Sequence, residues 1–344
     1  MLKRIVISLL LLTMLACEQS SPPADTSTES AASDFIGSDF YKGKNVEYIV
    51  TTDPGGGYDT YARLIARYLA KNIGADFIII NNIPGAGHIV GTNTLWRLKP
   101  DGLSIGTFNA GLIYNQLIAR DTLLFDIGKF SWIGKAAGEP RSLVVSEQCA
   151  IKTMDDLIAS KEVIKLASAG IGSASYADTR LLAEAFGLNV EIIPGYEGNE
   201  GEMSMMRGEV CGQFSSTSSV QTFVDSGFGH FILSVGGEIE GVPGAMEYAK
   251  TDRARSIVTL IASLARLGRV TAAPPGMDQA RLEYLRAAYK TALEDPALRA
   301  EAEKMKIPID PAYGDDVAQL VLDALNRSPE TIAIIAEAVK IESE

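Results

Sequence analysis

The chain is short of the residues that cut bonds, carry electrons or hold metals. Among its 344 residues are three cysteines, two histidines and two tryptophans. No CxxC pair and no Cys/His run with zinc spacing occurs, which argues against the usual structural zinc modules. With histidine only at His88 and His230, a zinc centre or a Ser-His-Asp triad has little to build on. No cofactor is expected. Positive charge is also scarce, with 31 Lys and Arg against 43 Asp and Glu, a formal net charge of -12. Such a chain is a poor partner for nucleic acid or an anionic lipid surface. Any anion it binds must be held by local donors against the field of the whole molecule.

Long hydrophobic runs are missing as well. The one apolar stretch near the start, Ile5 to Leu12, is interrupted by Ser8 and follows Lys3 and Arg4. It is too short for a spanning helix and has the layout of a signal peptide over 1–16. Met14-Leu15-Ala16-Cys17 then resembles a lipoprotein cleavage site, with Cys17 as the lipidated terminus; ordinary secretion with cleavage nearby is the alternative. Residues 17–43 begin with a Ser-, Thr-, Pro- and acid-rich stretch that cannot bury a core, and are expected to form a disordered tether. The expected location is the periplasmic face of a bacterial membrane, held by a lipid anchor. Cys149 and Cys211 remain. Outside the cytoplasm they either pair or stay as two separate buried thiols.

What is present is a repeated alternation of short β-rich runs and amphipathic helices. Val46 to Val50 reads as a strand, "YDTYARLIARYLAKNIG" as a helix stopped by Gly74, Phe77 to Ile80 as a second strand and Leu103 to Phe108 as a third. The order resumes with Ser142 to Ser146, a helix that Thr153 caps, Ile164 to Gly170, "SYADTRLLAEAFG", "VEIIPG", "NEGEMSMMRGE", "VCGQFSS" and "HFILSVGG". Two strongly amphipathic helices, "DQARLEYLRAAYKTALED" and "GDDVAQLVLDALNRS", follow. The fold class is α/β, in two lobes with mostly parallel sheets. Small ligands are expected where strand ends run into helix N-termini.

Several loops at those positions are rich in glycine and hydroxyls. Gly55-Gly56-Gly57 joins a strand to a helix and lets backbone N–H groups reach an anion. It lacks the Lys-Ser/Thr of a P-loop and the order of a dinucleotide fingerprint. Asp59 either faces a ligand or caps the helix behind it. Asn109-Ala110-Gly111, Gly170 to Ser175 and the hydroxyl run around Ser216 stand in corresponding places. Together they suit a small carboxylate held by many neutral donors.

Those residues also resemble a known family. Pro54-Gly55-Gly56-Gly57-Tyr58-Asp59, then Asn82-Ile83-Pro84-Gly85-Ala86-Gly87-His88, then Pro100-Asp101-Gly102 is similar in order and spacing to the opening of the TctC, or Bug, receptors of tripartite tricarboxylate transporters. The "ASAGIGSASY" loop, "PGYEGNEGEMSMMRGEVCGQF" and the segment from Arg269 onward extend the likeness. The resemblance implies a two-lobed periplasmic-binding-protein fold of type II, the Venus flytrap, with 44–140 plus 267–344 in one lobe and 141–266 in the other. It implies capture of a small organic carboxylate and delivery to the subunits of a membrane permease. It places ligand contacts at Asp53, Gly55, Gly56, Gly57, Tyr58, Asp59, Asn109, Ala110, Gly170, Gly172, Ser173, Ser175 and Ser216. Arg141, near the first crossing, is either a carboxylate clamp or a solvated surface arginine.

The chain departs from the family pattern at several points. His88 replaces a glycine, Tyr176 stands where a histidine is usual, and Glu197 replaces a lysine. Asp53 adds a carboxylate beside the glycines. These acids favour a monoanion or a zwitterion over a tricarboxylate. A sensor subunit for a membrane signalling protein would use the same lobes. A hydrolase would have to work with Asp53, Asp59 and Glu197 as acid and base, without a nucleophile–base pair; the chain is expected not to be an enzyme.

Overall fold

A computed structural model describes residues 37–119 and 123–339. The signal peptide, Cys17 and most of the expected tether lie outside the described residues. Within them the fold starts earlier than the sequence suggests. Helix α1 (Ser38–Tyr41) carries Tyr41, fully buried and stacked on Tyr284 at 5.9 Å between ring centroids. Residues 38–41 thus belong to the folded body rather than to a tether running to 43, because one aromatic ring finds a partner in the C-terminal region.

The first sheet is built from β1 (Asn45–Val50), α2 (Gly57–Ile73), β2 (Phe77–Asn82), α3 (Ile89–Arg97), β3 (Ser104–Thr107), α4 (Leu112–Ala119) and β4 (Ser131–Lys135). The second contains β5 (Arg141–Ser146), α5 (Met154–Ala159), β6 (Ile164–Ser168), α6 (Ala174–Phe186), β7 (Val190–Pro194), α7 (Glu200–Met206), β8 (Gly212–Ser216), α8 (Thr217–Asp225), β9 (Gly229–Val235), α9 (Ala245–Tyr248) and α10 (Asp252–Ala265). The chain then returns through β10 (Val270–Ala273), α11 (Gln279–Glu294), α12 (Pro296–Lys304), β11 (Ala312–Tyr313), α13 (Gly314–Leu325) and α14 (Pro329–Ala338).

Local chemistry accounts for many of these limits. Gly74, in the left-handed region at φ 80°, ends α2. Thr153 and Asp156 form a capping box at the start of α5, as the sequence leads one to expect. Ser173 caps α6 by accepting from the Tyr176 N–H, and Asp278 caps α11.

The strand order is β11-β4-β10-β3-β1-β2 in the six-stranded sheet and β7-β6-β8-β5-β9 in the five-stranded one. Strands β1, β2 and β3 run parallel, as do β6, β7 and β8. Each sheet is mixed rather than mostly parallel, because β10 lies antiparallel to β3 and β4, and β5 antiparallel to β8 and β9. These are the strands on which the chain enters a sheet from the other one, so they arrive from the opposite direction.

The two crossings run side by side. The Ala136 N–H donates to the Arg269 carbonyl at 2.9 Å, and the Arg269 N–H to the Ala137 carbonyl at 2.8 Å. The last helix departs from the division expected at 267. The Ala338 carbonyl of α14 accepts from Arg180 Nε of α6, and Glu337 pairs with Arg253 of α10, so α14 is tied to the helices of the second sheet. Cys149 and Cys211 form a disulfide, with their Cα atoms 5.2 Å apart, next to the β5–β8 pairing.

Candidate functional site

Strand ends from both sheets converge on a cavity of about 80 Å³. Thr52, Gly56, Gly57, Tyr58, His88, Asn109 and Arg269 line it from the first sheet and its crossing. Ser168, Ser175, Tyr196, Glu197, Glu202 and Gln213 are among its neighbours from the second, with Arg141, Ser215, Ser216 and Ser219.

Glycines stand at several points where the two sheets meet. A Cβ on Gly57 would lie 2.4 Å from Ser219 Oγ and 2.6 Å from Arg269 Nη2. One on Gly56 would meet the Gly198 Cα at 3.2 Å. One on Gly111 would stand 2.2 Å from the Ala174 backbone nitrogen, inside any allowed contact. Hydrogen bonds span the same seam. Asn109 Oδ1 accepts from the Ala174 N–H at 3.1 Å, Asn115 Nδ2 donates to the Gly172 carbonyl at 2.7 Å, and the Tyr114 hydroxyl donates to Asp178 Oδ1 at 2.7 Å. The geometry is that of a closed crevice whose walls need small residues to meet.

Asp59 does not line the cavity. Its carboxylate accepts from the Gly55 N–H at 3.0 Å, from Arg63 Nε at 2.8 Å and from Asn82 Nδ2 at 3.0 Å. Burial, the largest single influence, pushes this carboxyl up, but the three donors outweigh it and hold it below its ordinary value. Asp59 therefore fastens the glycine loop to α2 and β2. Asp59→Asn is expected to lose about 1–3 kcal/mol of stability in chemical denaturation while changing ligand affinity little. An intact denaturation midpoint with a large affinity loss would instead make Asp59 a ligand contact.

Two arginines supply the positive charge. Arg141 is 7% exposed; its Nε pairs with Asp178 Oδ2 at 2.6 Å, and its two terminal nitrogens approach Ser216 Oγ and the Phe214 carbonyl. Burial raises the Asp178 carboxyl, while Arg141 and the Tyr114 hydroxyl pull it back toward ionisation. Arg141 is thus no surface arginine. Arg269 is 2% exposed, and its Nη2 pairs with Glu139 Oε1 at 2.7 Å and donates to Ser218 and Ser219. Its guanidinium lies 4.4 Å from the Tyr58 ring centroid. Among the described residues its Nε and Nη1, which lie against the Tyr58 and Tyr61 rings, are buried without a hydrogen-bond acceptor in good geometry. Glu139 also accepts from the Ser218 N–H and hydroxyl, both at 2.8 Å, so one carboxylate ties the crossing to the start of α8.

The cavity also has acceptors. His88, 2% exposed, sits in the left-handed region at φ 79°. Its Nδ1 donates to the Thr51 carbonyl at 2.9 Å, which leaves Nε2 as a buried lone pair without a donor. Burial lowers its pKa although Glu197 and the Thr51 bond oppose the shift, so the ring is neutral at pH 7. Glu202 has a buried Oε2 without a partner, and burial raises its carboxyl to about 7. Among the described residues no three His, Cys, Asp or Glu side chains gather as a metal site requires.

Of the thirteen contacts implied by the sequence, Gly56, Gly57, Tyr58, Asn109, Ser175 and Ser216 line the cavity. The remaining seven stand behind or beside it. Asp53 is half-buried near Gly198, Gly55 is exposed at a turn with φ 93°, and Asp59 is the fastener described above. Ala110 is half-buried and is not part of the cavity lining. Gly170 and Gly172 face Gly87 and Asn115 across the seam, and Ser173 is consumed in capping α6. Sequence reasoning missed Arg269, Glu202 and Gln213. Arg269 is one arginine among many in the sequence, and only its place in the second crossing sets it apart.

The fold and the crevice define a two-lobed α/β binding protein of the periplasmic type. The sequence profile of the tripartite tricarboxylate transporter family receptors, TctC, matches residues 61–337, and the chain belongs to that family. The chain is 27% identical over 189 residues to a UPF0065 protein of Agrobacterium vitis, covering 53% of this chain and 54% of that one. The matched segment thus spans about half the length of the first curated relatives. A UPF0065 protein of Bordetella pertussis aligns over more, 25% identical across 299 residues, 84% of this chain and 89% of that one.

Solved structures share the fold. The periplasmic binding protein BugD superposes with a TM-score of 0.73 at 20% identity, covering 87% of this chain and 98% of that one. MatC of Rhodopseudomonas palustris, with bound malate, gives 0.70 at 21% over 85% and 99%. A second R. palustris protein, with adipate, gives 0.71 at 17% over 86% and 97%. The family and these neighbours are solute receptors and not enzymes. Among the described residues no helix is long and apolar enough to cross a membrane.

Proposed function

We propose that this protein captures a small organic carboxylate in the crevice between its two sheets and presents the closed form to a permease of the tripartite tricarboxylate class. The single observation that carries this reading is Arg269, buried in the crevice wall with Nε and Nη1 unpartnered. A buried guanidinium with spare donors needs an acceptor, and a carboxylate supplies one. Neutral hydroxyls and the Asn109 amide around it suit the remaining oxygens. The malate and adipate held by two proteins of the same fold support the ligand class.

The paired crossings at Ala136–Ala137 and Arg269 support a hinge, about which the sheets would part as the hydrogen bonds of the seam open. On this reading the lobes divide near 140 and 267, with α14 returning to the second lobe. Cys17 would hold the receptor on the periplasmic face of a membrane.

A thermal-shift screen of mono- and dicarboxylates, hydroxy acids and amino acids is expected to yield a few stabilising ligands and no turnover. A ligand at a hundred times its Kd adds about 2.7 kcal/mol of stability, enough for a clear shift. A complete library without a stabilised hit would sink the proposal.

A further inference from the structure

A plain carboxylate leaves half of the crevice unexplained. Each lining arginine already has its own acid, Asp178 for Arg141 and Glu139 for Arg269. Among the described residues no other lysine or arginine lines the cavity, whereas Glu197 and Glu202 both do. The groups around the ligand therefore carry no positive excess, and a dianion would enter a neutral-to-negative site.

The unpartnered acceptors are distributed in a particular way. His88 lines the crevice from the first sheet and Glu202 from the second; among the described residues His88 Nε2 and Glu202 Oε2 are buried without a donor, although Gln213 bonds the Glu202 carboxylate. Glu197 sits close enough to His88 to raise the proton affinity of its ring. Among the described residues its carboxylate accepts one hydrogen bond, from the Gly170 N–H at 3.1 Å. Buried acceptors that line one closed crevice cost free energy unless a donor reaches them. An ammonium offers three donors and one positive charge, which matches a carboxylate, a second carboxylate and an imidazole lone pair.

We propose that the ligand is an amino-carboxylate, with its carboxylate on the Arg141 and Arg269 side and its ammonium among Glu197, Glu202 and His88. This rests on the receptor reading and narrows it. The three acceptors include two of the substitutions, His88 and Glu197, by which this chain departs from the family pattern. A positively charged guest also favours the ionised form of Glu202, which Gln213 on β8 adjoins. The other titratable groups lining the crevice are Tyr58, His88, Arg141, Tyr196, Glu197 and Arg269.

The test uses the mature protein, freed of bound solute by partial unfolding and refolding, in calorimetric titrations with matched pairs. These are succinate with aspartate, glutarate with glutamate, and propionate with β-alanine. In at least one pair the amino member is expected to bind tenfold or more tightly than its ammonium-free partner. Its affinity is expected to rise between pH 6 and pH 8, with proton release on binding below pH 7. Glu202→Gln should remove most of that preference and the pH slope. If no amino member outbinds its partner, the inference is overturned while the receptor reading stands. If neither member of any pair binds, the inference is overturned, and the receptor reading is decided by the full thermal-shift library. Because the wild-type comparison is complete without the variant, a misfolded Glu202→Gln would not rescue the inference.

Discussion

Arg269→Met is expected to abolish ligand binding and to lower stability by about 3–5 kcal/mol, the cost of leaving one partner of a buried ion pair alone. The stranded group is Glu139, 6% exposed, whose carboxylate would keep only the Ser218 donors. The side chain also packs on Tyr58 and Tyr61, so methionine preserves some of the contact while deleting the charge. The double variant Arg269→Met with Glu139→Gln separates the two roles. It removes the stranded charge and is expected to recover most of the lost stability in urea titration, yet ligand binding should remain absent. Recovery of binding in the double variant would mean that Arg269 is a structural ion-pair partner and that the carboxylate is held elsewhere, with Arg141 the first alternative.

The second large effect is expected from Gly111→Ala. The new methyl would lie 2.2 Å from the Ala174 backbone nitrogen and 2.5 Å from its Cα, at the start of α6. Backbone cannot swing aside as a side chain can, so the closed seam must open. Overpacking of this kind costs about 1–3 kcal/mol. Here the cost falls on the closed form alone, because the two walls part when the crevice opens. Ligand affinity is therefore expected to fall about ten- to a hundredfold, by the rule that each 1.4 kcal/mol is tenfold. The ligand-free melting temperature should change little. Solution scattering should show the variant staying expanded at ligand concentrations that compact the wild type. An unchanged affinity would show that the seam at Gly111 does not close around the ligand.

Both predictions rest on residues that differ in how far the sequence revealed them. The glycine loops were legible because their chemistry is local. A strand followed by Gly55-Gly56-Gly57 and an amphipathic helix has few other uses, and the spacing carried the family resemblance with it. The caps at Thr153 and Gly74 were legible for the same reason. The strand directions of β5 and β10 were not, since nothing in five or six apolar residues records which way the chain enters a sheet. The ties of helix α14 to the second sheet's helices were not legible for a similar reason: its apolar face fits any complementary surface, and the bonds to Arg180 and Arg253 are long-range.

Within the site, the sequence pointed to the right loops but not to the right atoms. Asp59 sits beside the glycines and yet turns its carboxylate back on Gly55, Arg63 and Asn82. Ser173 has the hydroxyl expected of a ligand contact and spends it on the Tyr176 N–H. Arg141, for which a clamp and a surface position were both open, is buried against Asp178.

By itself, then, the sequence determined the α/β alternation, the positions of the loops at the strand ends and the family. All three depend on neighbours within a few turns of chain, where periodicity and turn chemistry decide the outcome. Only the tertiary structure decided which side chains face the guest. That choice depends on two crossings bringing Arg269 and Glu139 beside Tyr58 and Ser218, and on acids and His88 meeting across a seam. Charges this far apart in sequence have no local signature, and their partners exist only once both sheets have formed.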